Sequence, residues 1–474
     1  MKLAILCSKS VEPYVHSVAR WISTNLGIEI DILSLDVPTI HFVTFETLRR
    51  VLSDLSKDTV VVVPGDLRMD LETLSKELGV KIVRGPKNVG DLPTVLMLLG
   101  IEALETEVPP EEKLFRDDSL RNAWIVDYVA RLTEIYANGT YLSVDDVRIP
   151  LRPPPFAVLH EVTEIDKRSI DEVVEVSRRV CELGIEMLVL GTSFEVDPTK
   201  FDVSSYVRKV IDVCGARIGI DTHSVSIARR ALEEGASGFL SLRPGFEESL
   251  RSFARSKLFV VIPPMFGDVE SLLSYVEKLE SMGFQNLVLD PLLAPPLYGL
   301  GRSIVNYVEL MKRNPRFPVM AGLGNVYELM DVDSHGIIAT LVAILGEIGV
   351  STYLVSEHSC KAFNATSETI VACAMVSIAM YEGRYPKDMP FSLLLAKPKR
   401  IVEGSTRSTG FELCVENACG DASYLPTECP RVCVELGKAL RSLEMGSRYP
   451  GIYSMNPRTL AKFVAEARRI ASNT

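Results

Sequence analysis

The chain has 474 residues, 47% hydrophobic and 24% charged, with a formal net charge of −11. Such a composition describes a soluble globular protein long enough for two to four domains. The acidic balance argues against a nucleic-acid partner or an anionic membrane surface. No apolar run reaches the length of a membrane span, and the run at 3–7 is too short for a signal peptide, so a cytoplasmic location is expected.

Residues 1–100 alternate short runs rich in Val, Ile and Leu (2–7, 29–33, 59–63, 81–83) with helical periods at 44–55 and 71–78. This predicts an open, doubly wound α/β domain. It has neither GxGxxG nor a Walker loop, and Arg84-Gly85-Pro86-Lys87-Asn88 is its one basic strand-end loop. Residues 101–150 read as an acidic, Pro-bearing connection with a helix at 119–136 and an Asn138-Gly139 turn. The run Leu151-Arg152-Pro153-Pro154-Pro155 is a stiff boundary.

From 156 onward, strand-like runs recur at 156–162, 187–191, 217–221, 238–242, 258–262, 287–290, 318–322 and 352–356, each followed by a helical pattern. Eight such units are the period of a (β/α)8 TIM barrel. Ser224 is placed to cap a helix over 225–234 that Gly235 stops. The helices expected at 337–348 and 369–381 are apolar nearly all round, which calls for cover on every side. A homodimer through these two barrel helices, the seventh and eighth, is the expectation. A small α+β domain completes the chain. The division is therefore 1–150, 151–390 and 391–474.

In a TIM barrel the chemistry sits at the C-terminal strand ends. That rule selects His160, Glu161 and Thr163, then Thr192 and Ser193, then Asp221 and His223. It also selects Ser241 and Arg243, Asp290, Asn325, and Ser356, Glu357 and His358. Four of the six histidines, His160, His223, His335 and His358, fall at or beyond these ends, which suggests a site. A carboxylate offers two oxygens in a plane, matching a 2-amino group beside a ring N–H, an edge carried by pterins and guanines. Asp221 and Asp290 are the candidates for it. Gly322-Leu323-Gly324-Asn325 is expected to open the seventh helix and present free N–H groups to an anion. Ser356, His358 and Arg302 join it as candidates for a phosphate or second substrate. No HxH or HxxxH spacing supports a metal in the barrel.

Cys7, Cys181, Cys214, Cys360 and Cys373 are scattered and expected in the core. Cys414, Cys419, Cys429 and Cys433 crowd together at a spacing that leaves disulfides, a metal and free thiols all open. Disulfides inside a cell would point to a hyperthermophile.

The stretch Ile218-Gly219-Ile220-Asp221-Thr222-His223, with its helix ending at Gly235-Ala236, resembles the third unit of dihydropteroate synthase, and Leu287-Val288-Leu289-Asp290-Pro291 resembles its sixth strand. The run from Gly322 to Leu329, then Asp333-Ser334-His335-Gly336, is similar to archaeal dihydropteroate synthase-related proteins. The resemblance implies a pterin-binding TIM barrel of folate- or methanopterin-type metabolism. Asp221 and Asp290 would hold the pterin, flanked by Glu161, His223 and Ser241. Mg2+ would accompany a pyrophosphate substrate. Glu161 stands where the synthase has Asn, and the synthase's strand-7 and strand-8 basic motifs are missing. A corrinoid-linked pterin methyltransferase and a non-catalytic pterin-binding scaffold are the alternatives.

Overall fold

The computed structural model describes residues 2–116, 118–264, 268–393, 461–462, 464–465 and 468–469. Two compact units result, one of residues 1–130 and 379–390, the other of 131–378 and 391–474. The expected C-terminal α+β domain, with Cys414, Cys419, Cys429 and Cys433, lies almost entirely outside the described residues.

In the first unit β1 (Lys2–Ser8), β2 (Ile30–Leu35), β3 (Thr59–Val63) and β4 (Lys81–Arg84) form a parallel sheet in the order β2-β1-β3-β4. β3 is buried at every position because helices must cover both faces of such a strand. On one face Ala4, Leu6, Val61, Val63 and Ile82 pack with Leu48, Leu52, Leu71 and Leu74. The helices that supply those leucines start where a side chain satisfies a free N–H. Thr44 accepts from the Thr47 amide at 3.2 Å, and Asp70 accepts from the Thr73 amide at 3.0 Å.

Within the expected 101–150 connection, the second unit instead forms a hairpin: β5 (Tyr141–Val144) and β6 (Val147–Pro150), antiparallel across the Asp145-Asp146 turn. Eight parallel strands follow: β7 (Ala157–Val162), β8 (Met187–Gly191), β9 (Ile218–Asp221), β10 (Gly238–Leu242), β11 (Leu258–Val261), β12 (Leu287–Leu289), β13 (Met320–Gly322) and β14 (Thr352–Ser356). Neighbours pair from β12 through β7 and on to β14 and β13. The Leu289–Val319 bridge, with Leu289 N–H donating to Pro318 O at 2.9 Å, joins the two ends into a nearly closed barrel. All eight expected runs contain one of these strands. Ser224 caps helix Val225–Glu233 as read, and Gly235 follows at φ +108°.

The hairpin fills the lower end of the barrel. Val144, Val147 and Ile149 share one apolar cluster with Leu159, Val189, Leu240, Val260 and Val288 from the strands. Its turn is tied down at the N-terminal ends of β10 and β11, where the Ser237 hydroxyl donates to Asp145 at 2.7 Å and Lys257 pairs with it at 3.3 Å.

Two expectations need correction. Cys7, Cys214 and Cys373 are buried as expected, but Cys181 is only half-buried and forms a disulfide with Cys214 between the ends of adjacent helices, with Cα atoms 5.7 Å apart. Gly322–Asn325 does not open the long seventh helix. A single turn, Gly324–Tyr327, follows β13, and the long helix starts at Ser334. Helix Ala365–Glu382 is buried within one chain over residues 365–379 apart from half-buried Met375, so its apolar character is accounted for without a second copy.

Candidate binding site at the barrel mouth

The C-terminal ends of β7, β9 and β12 carry three acids, Glu161, Asp221 and Asp290. Glu161 reaches across its neighbour strand. A Cβ on Gly191, at the end of β8, would lie 2.0 Å from Glu161 Oε1. Gly191 itself pairs with Asp221 of β9. The glycine is thus the gap through which the Glu161 carboxyl approaches Asp221, and a larger residue there would close it.

Burial dominates the protonation of all three. It raises the Glu161 carboxyl to about 8, with the Asp221 charge adding to the rise. It raises Asp221 too, opposed by a hydrogen bond from Ser241 and by the charges of His223 and Arg243. Asp290 is pushed up to about 6 by burial, opposed by two hydrogen bonds and helped by Asp221. Those two bonds, from the Leu292 amide at 2.8 Å and the Tyr307 hydroxyl at 2.9 Å, both fall on Oδ1. Oδ2 takes none from the described residues. A carboxylate fixed by one oxygen and open at the other can receive a ligand N–H without reorganising.

Ser241, which opposes the rise of the Asp221 carboxyl, sits where β10 is irregular. Its register against β11 shifts between Phe239 and Leu242, and Ser241 sits at φ +64°. A bulge at a barrel rim re-aims a side chain in this way. His223 is exposed and stacks on Phe194, ring centroids 4.1 Å apart and planes 25° apart. Phe194 is itself 83% exposed, so the stacked pair presents a ring to solvent.

Other expected site residues serve the frame. His160 is buried, bonded through Nδ1 to the Thr366 hydroxyl at 2.7 Å, and burial lowers it to about 4. It is a neutral core histidine, so the four histidines do not converge. Glu357 is committed to Arg179 at 3.0 Å. Asn325 donates its side-chain N–H to Leu293 O at 2.9 Å, pinning the loop after β12. Tyr327 clamps the end of β14, donating to Ser356 O at 2.7 Å and accepting from Ser356 N–H at 2.9 Å. Gly324 lies beside the Ser356 side chain. Gly322 ends β13. His358 is exposed at the rim, sharing a 3.0 Å hydrogen bond with Thr163. Arg302 is exposed in the first turn of helix Leu300–Lys312. Ser193 is held by Asp166 through its amide at 2.7 Å and its hydroxyl at 2.6 Å.

Sequence reasoning missed Gly191, Phe194 and Tyr307. A glycine closing a fully buried strand was a usable signal for Gly191; the other two become visible only once the strands are side by side. Among the described residues no group of three or more His, Cys, Asp or Glu is arranged to hold a metal ion, and no helix is long and apolar enough to cross a membrane.

Comparison with known proteins places these features in context. Residues 2–87 match a family model described as a family of unknown function, DUF6513. An uncharacterised protein of Methanocaldococcus jannaschii is 26% identical over 431 residues, covering 86% of this chain and 80% of the relative. Dihydropteroate synthase of Yersinia pestis aligns with a TM-score of 0.37 at 14% identity, covering 51% of this chain and all of that one. The Xanthomonas albilineans synthase, in complex with indole-2-carboxylic acid and 6-chloroguanine, aligns at 0.40 and 17%, covering 51% and 99%. A truncated 3-deoxy-D-arabino-heptulosonate 7-phosphate synthase of Thermotoga maritima aligns at 0.39 and 14%, covering 54% and 98%.

Proposed function

We propose that the barrel mouth binds a pterin, as part of a transferase of methanopterin- or folate-type cofactor metabolism. The observation that carries the reading is Asp290, held through Oδ1 and open at Oδ2, with Asp221 as the charge nearest to it in effect. Asp290 receives one N–H of the 2-amino and ring N–H edge on its open Oδ2, and Asp221, beside Ser241, holds the far side of the heterocycle. The Phe194–His223 pair offers a flat surface at the rim for the ring or its substituent.

Glu161 separates this site from the synthase pattern. Burial, with the Asp221 charge, raises its carboxyl to about 8, so near neutral pH it is mostly protonated and can donate where an ionised acid would repel. A neutral acid can hydrogen-bond a pterin carbonyl; it loses that role once it ionises beside a pyrophosphate. A pyrophosphate substrate would arrive with its own Mg2+, and the frame-bound Asn325 and Ser356 give it little purchase. Methyl or one-carbon transfer to a corrinoid partner is the second reading, favoured by the same replacement. We also infer a homodimer, in the cytoplasm of a thermophile. The partly exposed face of helix Ser334–Ile348, with Ile344 38% exposed, supports the dimer, and the Cys181–Cys214 disulfide, if the protein is cytoplasmic, fits a thermophile. Light scattering checks the dimer.

The pterin reading is tested by calorimetry with a reduced pterin. Asp290→Asn removes the charge that receives the ligand N–H at Oδ2, and binding weakens by about 1.5–3 kcal/mol, the scale of a charge-assisted hydrogen bond. A wild-type protein that binds no pterin sinks the reading.

A further inference from the structure

We infer a second small-molecule site, in the crevice where the order of the first unit's sheet reverses, and assign it to a flat aromatic molecule bearing one anionic group. In the order β2-β1-β3-β4 the chain leaves β1 toward one edge and β3 toward the other. Loops that part in this way leave an opening beyond the strand ends, the usual ligand position in open parallel sheets. Here the opening is a cavity of about 480 Å³, within the range of metabolite pockets.

Its floor is rigid. Gly65 N–H donates to Pro86 O at 3.1 Å and Gly85 N–H to Val63 O at 2.8 Å, zipping the loops after β3 and β4 together. The approach is so close that a Cβ on Gly65 would lie 2.5 Å from Gly85 O. The walls are apolar strand ends and Tyr14, with Tyr385 84% exposed at the lip.

Charge selects the ligand. His41 lies 3.4 Å from Asp66, and Arg384, its side chain 2% exposed, is committed to Asp91 and Glu382 at 3.3 and 3.2 Å. Lys87 lines the same cavity, half-buried, and its ammonium has no carboxylate partner among the described residues. One uncompensated cation beside an apolar, tyrosine-bearing slot recognises a single anion attached to a ring, either a phosphate or a carboxylate.

Calorimetry of the full chain with adenosine 5′-monophosphate, 4-hydroxybenzoate, adenosine and inorganic phosphate tests this. At least one of the two aromatic anions binds with a Kd below about 1 mM. The two anions distinguish phosphate from carboxylate. Adenosine and phosphate alone bind at least about tenfold more weakly, the value of one charge-assisted contact. Lys87→Ala weakens the aromatic anion about tenfold with an unchanged melting temperature, and Asp290→Asn leaves it unaffected. Should Lys87→Ala fold poorly, protection of Lys87 from acylation by the bound anion replaces it. Absence of binding by both aromatic anions, equal binding of phosphate alone, or indifference to Lys87 overturns the site.

Discussion

The two ends of the barrel are built from the same eight strands and do opposite things. At the N-terminal end Val144, Val147 and Ile149 of the hairpin fill the interior with apolar volume. At the C-terminal end Glu161, Asp221 and Asp290 place three carboxyls where burial penalises their charge. One end stabilises the fold, and on the proposed function the other gives stability up to hold a ligand. The two tasks would then be separated along the barrel axis: mutations below are expected to cost folding, and mutations above to cost binding.

The sharpest break in that separation is at Ile149, which is fully buried. Ile149→Ala leaves a cavity and lowers stability by about 2–5 kcal/mol. Chemical denaturation should show that loss, with pterin affinity of the folded protein unchanged. At the other end, Asp221→Asn weakens pterin binding by about 1.5–3 kcal/mol. Because the Asp221 charge helps to raise Glu161 and Asp290, the same variant moves both toward their ordinary values, readable in a carbon-13 titration of the side chains.

Glu161→Gln carries a pH signature. The folded-state pKa is raised, so the unfolded chain gives up this proton first and wild-type stability falls as pH climbs from the ordinary glutamate range to about 8. The variant lacks that loss. Its melting temperature relative to wild type should therefore rise between pH 5 and pH 9. A gap that stays constant with pH would show that Glu161 ionises freely. The smallest effect is expected at Phe194. Its ring is exposed, so Phe194→Ala leaves stability within about 0.5 kcal/mol, while pterin affinity drops about three- to tenfold through the lost stacking.

The sequence carried the barrel because its strands are short runs of Val, Ile and Leu, buried on both faces and separated by capped helices. Asp221 and Asp290 could be found because each ends such a run. The hairpin was harder. Its Asp145-Asp146 turn lacks the usual glycine, and Asp145 takes φ +49° regardless. His160, Asn325 and Glu357 stand at strand ends too, but their partners, Thr366, Leu293 and Arg179, come from elsewhere in the fold. Position along a strand says that a side chain is near the mouth; only the packed neighbours decide whether it faces the ligand or the frame. The Cys181–Cys214 pair was hidden for the same reason, since its 33-residue separation becomes contact only when two helices lie side by side.

The central claim is that Asp290 is a preformed ligand group and not a structural acid. Parallel titration of a reduced pterin into the wild-type protein and Asp290→Asn tests it most directly. Saturable binding by the wild type, reduced roughly ten- to a hundredfold in a variant that melts no lower, is the predicted result. Equal affinities in the two proteins, or a variant that loses its fold, would contradict it.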